Sequence, residues 1–294
     1  MSEASRSRRS GPVRRPRPPV ADPARRAAYD TLRAVDERDA YANLTLPALL
    51  RERGISGRDA AFATELAYGT LRGRGTYDAV LAACVDRPLA EVDPQIVDML
   101  RMGAHQLLSS RVPDHAAVSS TVDLARVVLG QGRAGFVNAV LRKVARQGRE
   151  AWLDELAPTS DDDAVALRHS HPVWILRAFR DALGGDQEQT VALLEADNVP
   201  AEVALVARPG RSDVDELLRA GARVGRWSPF AAILPSGDPG AIPAVRDGRA
   251  GVQDEGSQLV VLVLADVPVE GSDVRWLDLC AGPGGKAALL DALA

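Results

Sequence analysis

Between Pro23 and Gly148 apolar residues return every three or four positions, and short polar or Gly/Pro joins separate the runs. This is the period of helices that bury one face. Ala28, Leu32 and Val35 mark one face of the first helix; Pro47 lies near the start of a second, which Gly54 ends. Ser56 with Asp59 reads as a capping pair ahead of Phe62 and Leu66. Asp93-Pro94 reads as an N-cap followed by Pro at the first helical position, leading Ile96, Leu100 and Leu107. Asp114 is the expected cap of the helix that carries Val118, Val122 and Leu129, and Phe136, Val140 and Val144 mark the last helix. No strand pattern interrupts them, so residues 23–149 are expected to form an all-α domain of about six or seven helices.

Residues 150–198 continue as helix, with Trp152, Trp174, Leu176 and Leu193 as expected anchors. After Pro200 short β-like runs take over at Glu202–Ala207, Phe230–Leu234 and Gly251–Gln253, around a helical Asp213–Ala222, so residues 150–270 read as a helical linker and a small α+β subdomain. From 271 to 294 the pattern changes again. An apolar run, Val274–Cys280, breaks at a Gly/Pro turn and resumes as helix-forming Ala287–Ala294, the layout of a strand, a tight turn and a helix N-terminus. Unpaired N–H groups at such a turn point outward, and glycine lets a ligand approach the backbone. An ordinary turn between a buried strand and a helix is the competing reading.

Composition narrows the picture. Aromatic residues are only 4% of the chain and hydrophobic ones 46%, so the cores must be built from Ala, Val and Leu. The longest aliphatic stretch, Leu259–Ala265, is far short of a membrane span, and the Arg-rich start has no apolar segment behind it, so a cytoplasmic protein is expected. Cys84 and Cys280 are the two cysteines, without C-x-x-C or zinc-ligand spacing, and His169 and His171 do not share a helix face; no metal is expected. Charge is distributed unevenly. Residues 1–26 hold eight Arg and two acidic residues, 27–149 hold 16 basic and 14 acidic, and 150–294 hold 12 basic and 24 acidic. The N-terminal half is therefore the side suited to a polyanion. Residues 1–22, rich in Arg and Pro, are expected to be disordered, as either a solvated tail or a non-specific RNA tether.

Two nucleotide motifs fail at the Gly-rich turn. A phosphate-binding P-loop needs Gly where Cys280 stands and Ser or Thr where Ala287 stands, and a dinucleotide fingerprint starting at Gly282 needs Gly at 287. What remains is Asp278-Leu279-Cys280-Ala281-Gly282-Pro283-Gly284-Gly285-Lys286, which resembles the S-adenosylmethionine loop of RNA cytosine-5 methyltransferases. Two further segments, Ser170-His171-Pro172-Val173-Trp174 and Val252-Gln253-Asp254-Glu255-Gly256-Ser257-Gln258, resemble the bacterial small-subunit (16S) rRNA cytosine-5 methyltransferases of the RsmB (Sun) family in order and spacing. The first half is similar to the NusB-like RNA-binding domain of that family, notably at Tyr41–Leu44, Arg58–Phe62 and Phe136–Arg142.

The resemblance implies a NusB-like helical domain, a small α+β subdomain, and the first strand-turn-helix of a Rossmann-like methyltransferase domain over 271–294, incomplete in this chain. It implies S-adenosylmethionine as cofactor, small-subunit rRNA as partner, 5-methylcytosine as product, no membrane and a monomer. Cys280, Ala281, Gly282, Pro283, Gly284, Gly285 and Lys286 would line the methionine end of the cofactor; Asp278 either orients the ammonium group or holds the turn. The family usually has Ala at the position of Gly282 and Thr at that of Ala287. Attack on cytosine C5 requires a thiolate at C6, and the resemblance implies that the catalytic cysteines lie downstream of the loop. No catalytic residue is therefore expected within residues 1–294, the chain alone is expected to be inactive, and 270–294 are expected to exchange amide hydrogen rapidly because two helical turns need packing. For RNA, Arg72 with Arg74 and Arg142 with Lys143 are the leading phosphate contacts; Arg51, Arg53, Arg58, Arg146 and Arg149 are further candidates, and solvated helix faces are the alternative. A NusB-like RNA-binding or antitermination module without catalysis is the second functional reading. It would bind RNA and not the cofactor.

Overall fold

The computed structural model describes residues 21–271 and 275–294. The Arg/Pro-rich segment through residue 20, expected as disordered, and Val274, expected to open a strand, lie outside the described residues. The chain divides into two compact units, the first ending at Asn198 and the second beginning at Val199.

The first unit is entirely helical among the described residues. Its helices are α1 (Pro23–Arg38), α2 (Ala42–Glu52), α3 (Gly57–Arg72), α4 (Arg74–Cys84), α5 (Pro94–Leu108), α6 (Asp114–Val128), α7 (Gln131–Val144), α8 (Arg149–Leu156), α9 (Asp162–Arg168), α10 (Val173–Ala182) and α11 (Gln187–Asp197). Asp93 caps α5 as expected, its side chain accepting the Gln95 N–H, and Pro94 opens the helix. Two expected caps do not form. Ser56 precedes α3 without a side-chain bond, and Asp114 is the first residue of α6, whose cap position is Pro113. Trp152 and Leu176 are buried, whereas Trp174 is 71% exposed and Leu194, not Leu193, fills the core of α9 to α11. The turn of helix at Val173 leaves Trp174 on its outer face, because Leu176 already occupies the inner one.

Helix α5 runs through the middle of the bundle, buried along almost its whole length. An all-apolar environment cannot satisfy its polar side chains, so they satisfy one another. Asp98, 2% exposed, accepts bonds from Arg33 of α1 at 2.6 Å and Arg101 at 2.9 Å, and Arg101 also grips Asp78 of α4 at 2.6 and 2.8 Å. Burial, with Asp36 nearby, raises the Asp98 pKa despite these guanidiniums. Gln106 accepts from Arg25 at 2.9 Å and donates to Thr121 at 3.0 Å. His105 pairs through Nδ1 with the Tyr77 hydroxyl at 2.8 Å, and its ring lies where a Cβ on Gly69 would come within 2.3 Å. Small residues are thus required wherever α3 and α7 approach α5: Gly103 likewise admits Leu141.

The second unit holds β1 (Val203–Ala207), α12 (Val214–Arg219), β2 (Arg223–Val224), β3 (Ala231–Leu234), α13 (Pro243–Arg246), β4 (Ala250–Val252), α14 (Glu255–Ala265) and α15 (Gly285–Leu293). The strands form one antiparallel sheet in the order β2-β3-β1-β4, with Leu205 of β1 facing Ala232 of β3 and Val252 of β4 in register. Leu205, Leu217, Ala232, Ile242 and Ala244 make the core on one side. On the other, Val206, Val261 and Leu289 pack together with Phe230, Leu290 and Leu293, so α15 docks against α14. This corrects the expectation that the last residues have nothing to pack on: Leu289 is fully buried, and Arg211 pairs with Asp291. Residues 275–280, expected as a strand, form none; Leu277 and Leu279 are 83% and 85% exposed. A strand needs a neighbour's backbone, and the described sheet pairs none with these residues. No helix among the described residues is long and apolar enough to cross a membrane.

His105 generates a pH prediction. Burial, aided by the Arg72 charge, lowers its pKa to about 4. The unfolded chain therefore binds this proton between about pH 6.5 and 4 while the folded chain does not, so its contribution is complete above that window and is lost as pH falls through it. Chemical denaturation of wild type and His105→Gln at both pH values should show their stability difference shrinking by about 2 kcal/mol between pH 7 and pH 5. A difference independent of pH would contradict a buried neutral His105.

Candidate functional site

The sequence motif Gln253–Gln258 turns out to be the point at which four parts of the second unit meet. The Gln253 N–H donates to the Ala204 carbonyl at 3.0 Å, and the buried Gln258 amide donates to the carbonyls of Leu205 and Gln253 at 3.3 and 2.9 Å. Asp254 caps α14 by accepting the Gly256 N–H at 2.8 Å. Glu255 is only 9% exposed, and its carboxylate accepts the N–H groups of Arg226, Trp227 and Ser228 at 3.2, 3.1 and 3.4 Å. A Cβ on Gly225 would fall 2.3 Å from that carboxylate, so glycine is what lets the loop close onto it.

The Gly-rich loop lies beside this motif. The side chain of Gln253 lies near Gly285, where an added Cβ would meet its Cδ and Oε1 at 3.7 and 3.8 Å, and the Gln253 Oε1 is buried without a hydrogen-bond partner among the described residues. Asp278 accepts the Cys280 N–H at 2.8 Å and so holds the turn. Gly284 sits at φ +100°, a conformation that L side chains rarely adopt, and caps α15. The first intrahelical bond there runs from the Ala288 N–H to the Gly284 carbonyl at 2.9 Å. The N–H groups of Gly285, Lys286 and Ala287 precede it and are the donors that a helix start offers to an anion. Cys280, Ala281, Gly282, Pro283 and Lys286 are exposed around them.

In the helical unit the expected phosphate contacts separate into engaged and available groups. Arg74 binds Asp36 at 3.0 Å, and Lys143 donates to the Cys84 carbonyl at 2.9 Å with Asp86 at 3.5 Å. Arg53 binds Asp30 at 2.6 Å and Arg149 pairs with Glu150. Arg142 is exposed on α7 and meets only Asn138 at 3.3 Å; Arg51, Arg58, Arg72 and Arg146 make no ion pair among the described residues. The Ser170-His171-Pro172 segment serves the fold: Ser170, at φ +56°, bonds Thr76 of α4, and the His171 Nδ1 bonds the His169 carbonyl at 2.7 Å. No group of three or more His, Cys, Asp or Glu fit to hold a metal ion occurs among the described residues.

One feature was not singled out from the sequence. Trp227 projects from the loop that Glu255 fixes, 62% exposed, with the Arg226 guanidinium 4.5 Å from its ring centroid. Beside it opens a recess of about 580 Å³ lined by Glu202, Ala204, Ile233, Asp254 and Leu259. A lone Trp in a Gly/Ser/Pro loop carries no periodic signal, so only the fold reveals it.

Comparison with known proteins follows the division into units. Residues 22–146 match the NusB family. A protein of Mycobacterium tuberculosis named as a candidate methyltransferase is 56% identical over 290 residues, which cover 97% of this chain and 63% of that protein. Ribosomal RNA small subunit methyltransferase B of Pseudomonas putida is 32% identical over 271 residues, covering 90% of this chain and 59% of that protein. The crystal structure of PH0851 shares the fold, with a TM-score of 0.72 at 18% identity over 92% of this chain and 60% of the other. The chain spans about three fifths of the length of these relatives. The NusB match falls on the helical front half, and over nine-tenths of its length the chain is similar to ribosomal RNA small subunit methyltransferase B.

Proposed function

We propose that this polypeptide serves a cytoplasmic, S-adenosylmethionine-dependent methyltransferase that forms 5-methylcytosine in small-subunit rRNA. In this reading residues 23–149 hold RNA, 150–270 connect, and 271–294 open a Rossmann-like cofactor domain. The observation that carries it is the Asp278–Lys286 loop seated at the start of α15 against Gln253, in a chain whose front half is a NusB-family domain. The names of the relatives in Mycobacterium and Pseudomonas support methyl transfer and an rRNA substrate.

The residues present suit the methionine end of the cofactor. Gly284 and Gly285 leave the loop open to close approach, and the first-turn N–H groups of α15 match a carboxylate. The buried Oε1 of Gln253 beside Gly285 is an acceptor still to be satisfied, which suits the ammonium group. Asp278, committed to the Cys280 N–H, acts by holding the turn. The cofactor supplies an electrophilic methyl group when bound. Cys280 belongs to the loop that holds it and is given no nucleophilic role. In the helical unit Arg72 and Arg142 offer their charge to phosphates most freely, and Lys143 retains donors beyond its carbonyl contact. Arg74 contributes less, since binding a phosphate competes with Asp36.

Two measurements test this reading. In the source organism, deleting the gene should remove 5-methylcytosine from one position of small-subunit rRNA. Chromosomal Gly284→Val should lower it by roughly tenfold or more, since a β-branched residue is strained at positive φ. Unchanged 5-methylcytosine after deletion would overturn the assignment. With the purified chain, affinity for a structured rRNA fragment should fall by more than about tenfold between roughly 50 and 200 mM salt. Arg142→Ala should flatten the salt slope by about one contact, and Arg74→Ala by less. Equal slopes in all three proteins would place the RNA elsewhere.

A further inference from the structure

The loop Gly225–Ser228 is tied at its ends to β3, where the Gly225 N–H donates to the Ala231 carbonyl at 2.9 Å and the Ala231 N–H to the Ser228 carbonyl at 3.1 Å, and in its middle to a side chain. Its strand neighbours end at Val224 and begin again at Ala231, and between them three successive N–H groups point at one buried carboxylate, Glu255. A carboxylate withdrawn from water is costly unless it is bonded, so losing the loop's N–H groups would leave Glu255 buried without partners, and this favours the loop's observed shape. What the loop presents is Trp227, 62% exposed, with Arg226 stacked on it at 4.5 Å. Arg226 makes no ion pair among the described residues. An accessible indole and an accessible guanidinium are two groups that recognise an unpaired nucleotide: the ring stacks on the base and the cation meets its phosphate.

The acidic residues around the recess do not argue for a cationic ligand. Glu202 is paired with Arg223, Glu255 is saturated by its three N–H groups, and Asp254 caps α14. The recess has room for a base, at about 580 Å³, and Ala204, Ile233 and Leu259 give it an apolar wall. Through Glu255 and Gln253 the same motif touches both this loop and the Gly-rich loop, so a nucleotide held at Trp227 would be held by the element that positions Gly285.

We propose that Trp227 and Arg226 form a binding site for one unpaired nucleotide of RNA, the base stacking on the indole and its phosphate meeting the guanidinium. The proposal rests on the RNA reading above and adds to it a single-strand contact in the second unit.

The test compares the full chain with Trp227→Ala, Trp227→Phe and Arg226→Ala, using a short single-stranded RNA and the same sequence annealed into a duplex. Trp227→Ala should weaken single-strand binding about tenfold, with melting temperature and duplex affinity unchanged, because one stacked base is worth roughly 1–3 kcal/mol. Trp227→Phe should keep most of the affinity, and Arg226→Ala should lose less than Trp227→Ala while reducing the salt dependence. Single-strand affinity unchanged in Trp227→Ala, or equal losses for single strand and duplex, would overturn the proposal while leaving RNA binding by the helical unit intact. Binding of an Arg-rich peptide that Trp227→Ala abolishes, with RNA affinity unaffected, would assign the face to a protein segment and overturn it too. Absence of any RNA binding by wild type at low salt would instead defeat the RNA reading itself.

Discussion

The second unit depends on one arrangement: a short segment, Gln253–Gln258, whose side chains and backbone are divided among the sheet, the start of a helix and two loops. Each bond is ordinary in strength, yet Gln253 and Gln258 fasten to adjacent carbonyls of β1 while Glu255 binds the loop between β2 and β3. Burying Glu255 is tolerable because three N–H groups replace the water it loses. Without them the charge would be uncompensated, and the Trp227 loop would keep only its end bonds to Ala231. The Gly-rich loop depends on the same segment less tightly, through the nearness of Gln253 to Gly285 and through the packing of Leu289 against Val206 and Val261.

The helical unit solves a related problem in another way. Its central helix α5 cannot be amphipathic in the usual sense because it is enclosed, so Asp98, Arg101 and Gln106 are bonded by α1, α4 and α6 instead of solvent. Removing one partner of such a network is expensive, on the order of 3–5 kcal/mol, because the remaining charge stays buried. Its net stabilisation is smaller than that cost suggests.

Much of the architecture was legible in the chain. Helical spacing and the Asp93-Pro94 signal located α5, and the short β-like runs located β1, β3 and β4, because each feature is local. The buried polar face of α5 was not legible, because the partners Arg33 and Asp78 that bond Asp98 and Arg101 are distant in sequence. Residues 275–280 have the apolar content of a strand, but strand formation depends on neighbours, which a local pattern cannot report. The end of the chain departs from expectation for the converse reason, since Leu289, Leu290 and Leu293 find a surface on α14 and the sheet. Among the candidate cations, sequence could not distinguish Arg74 from Arg142. Only the position of Asp36 shows that the first is engaged.

Native-state hydrogen exchange tests most directly whether the Gln253–Gln258 segment holds both loops. The amides of Arg226, Trp227 and Ser228 should be protected together with those of Ala288–Leu293, although the first three lie in a loop. Glu255→Ala should release the first set to unstructured rates while leaving protection in α5 unchanged. Exchange of residues 226–228 at unstructured rates in the wild-type chain would contradict the account.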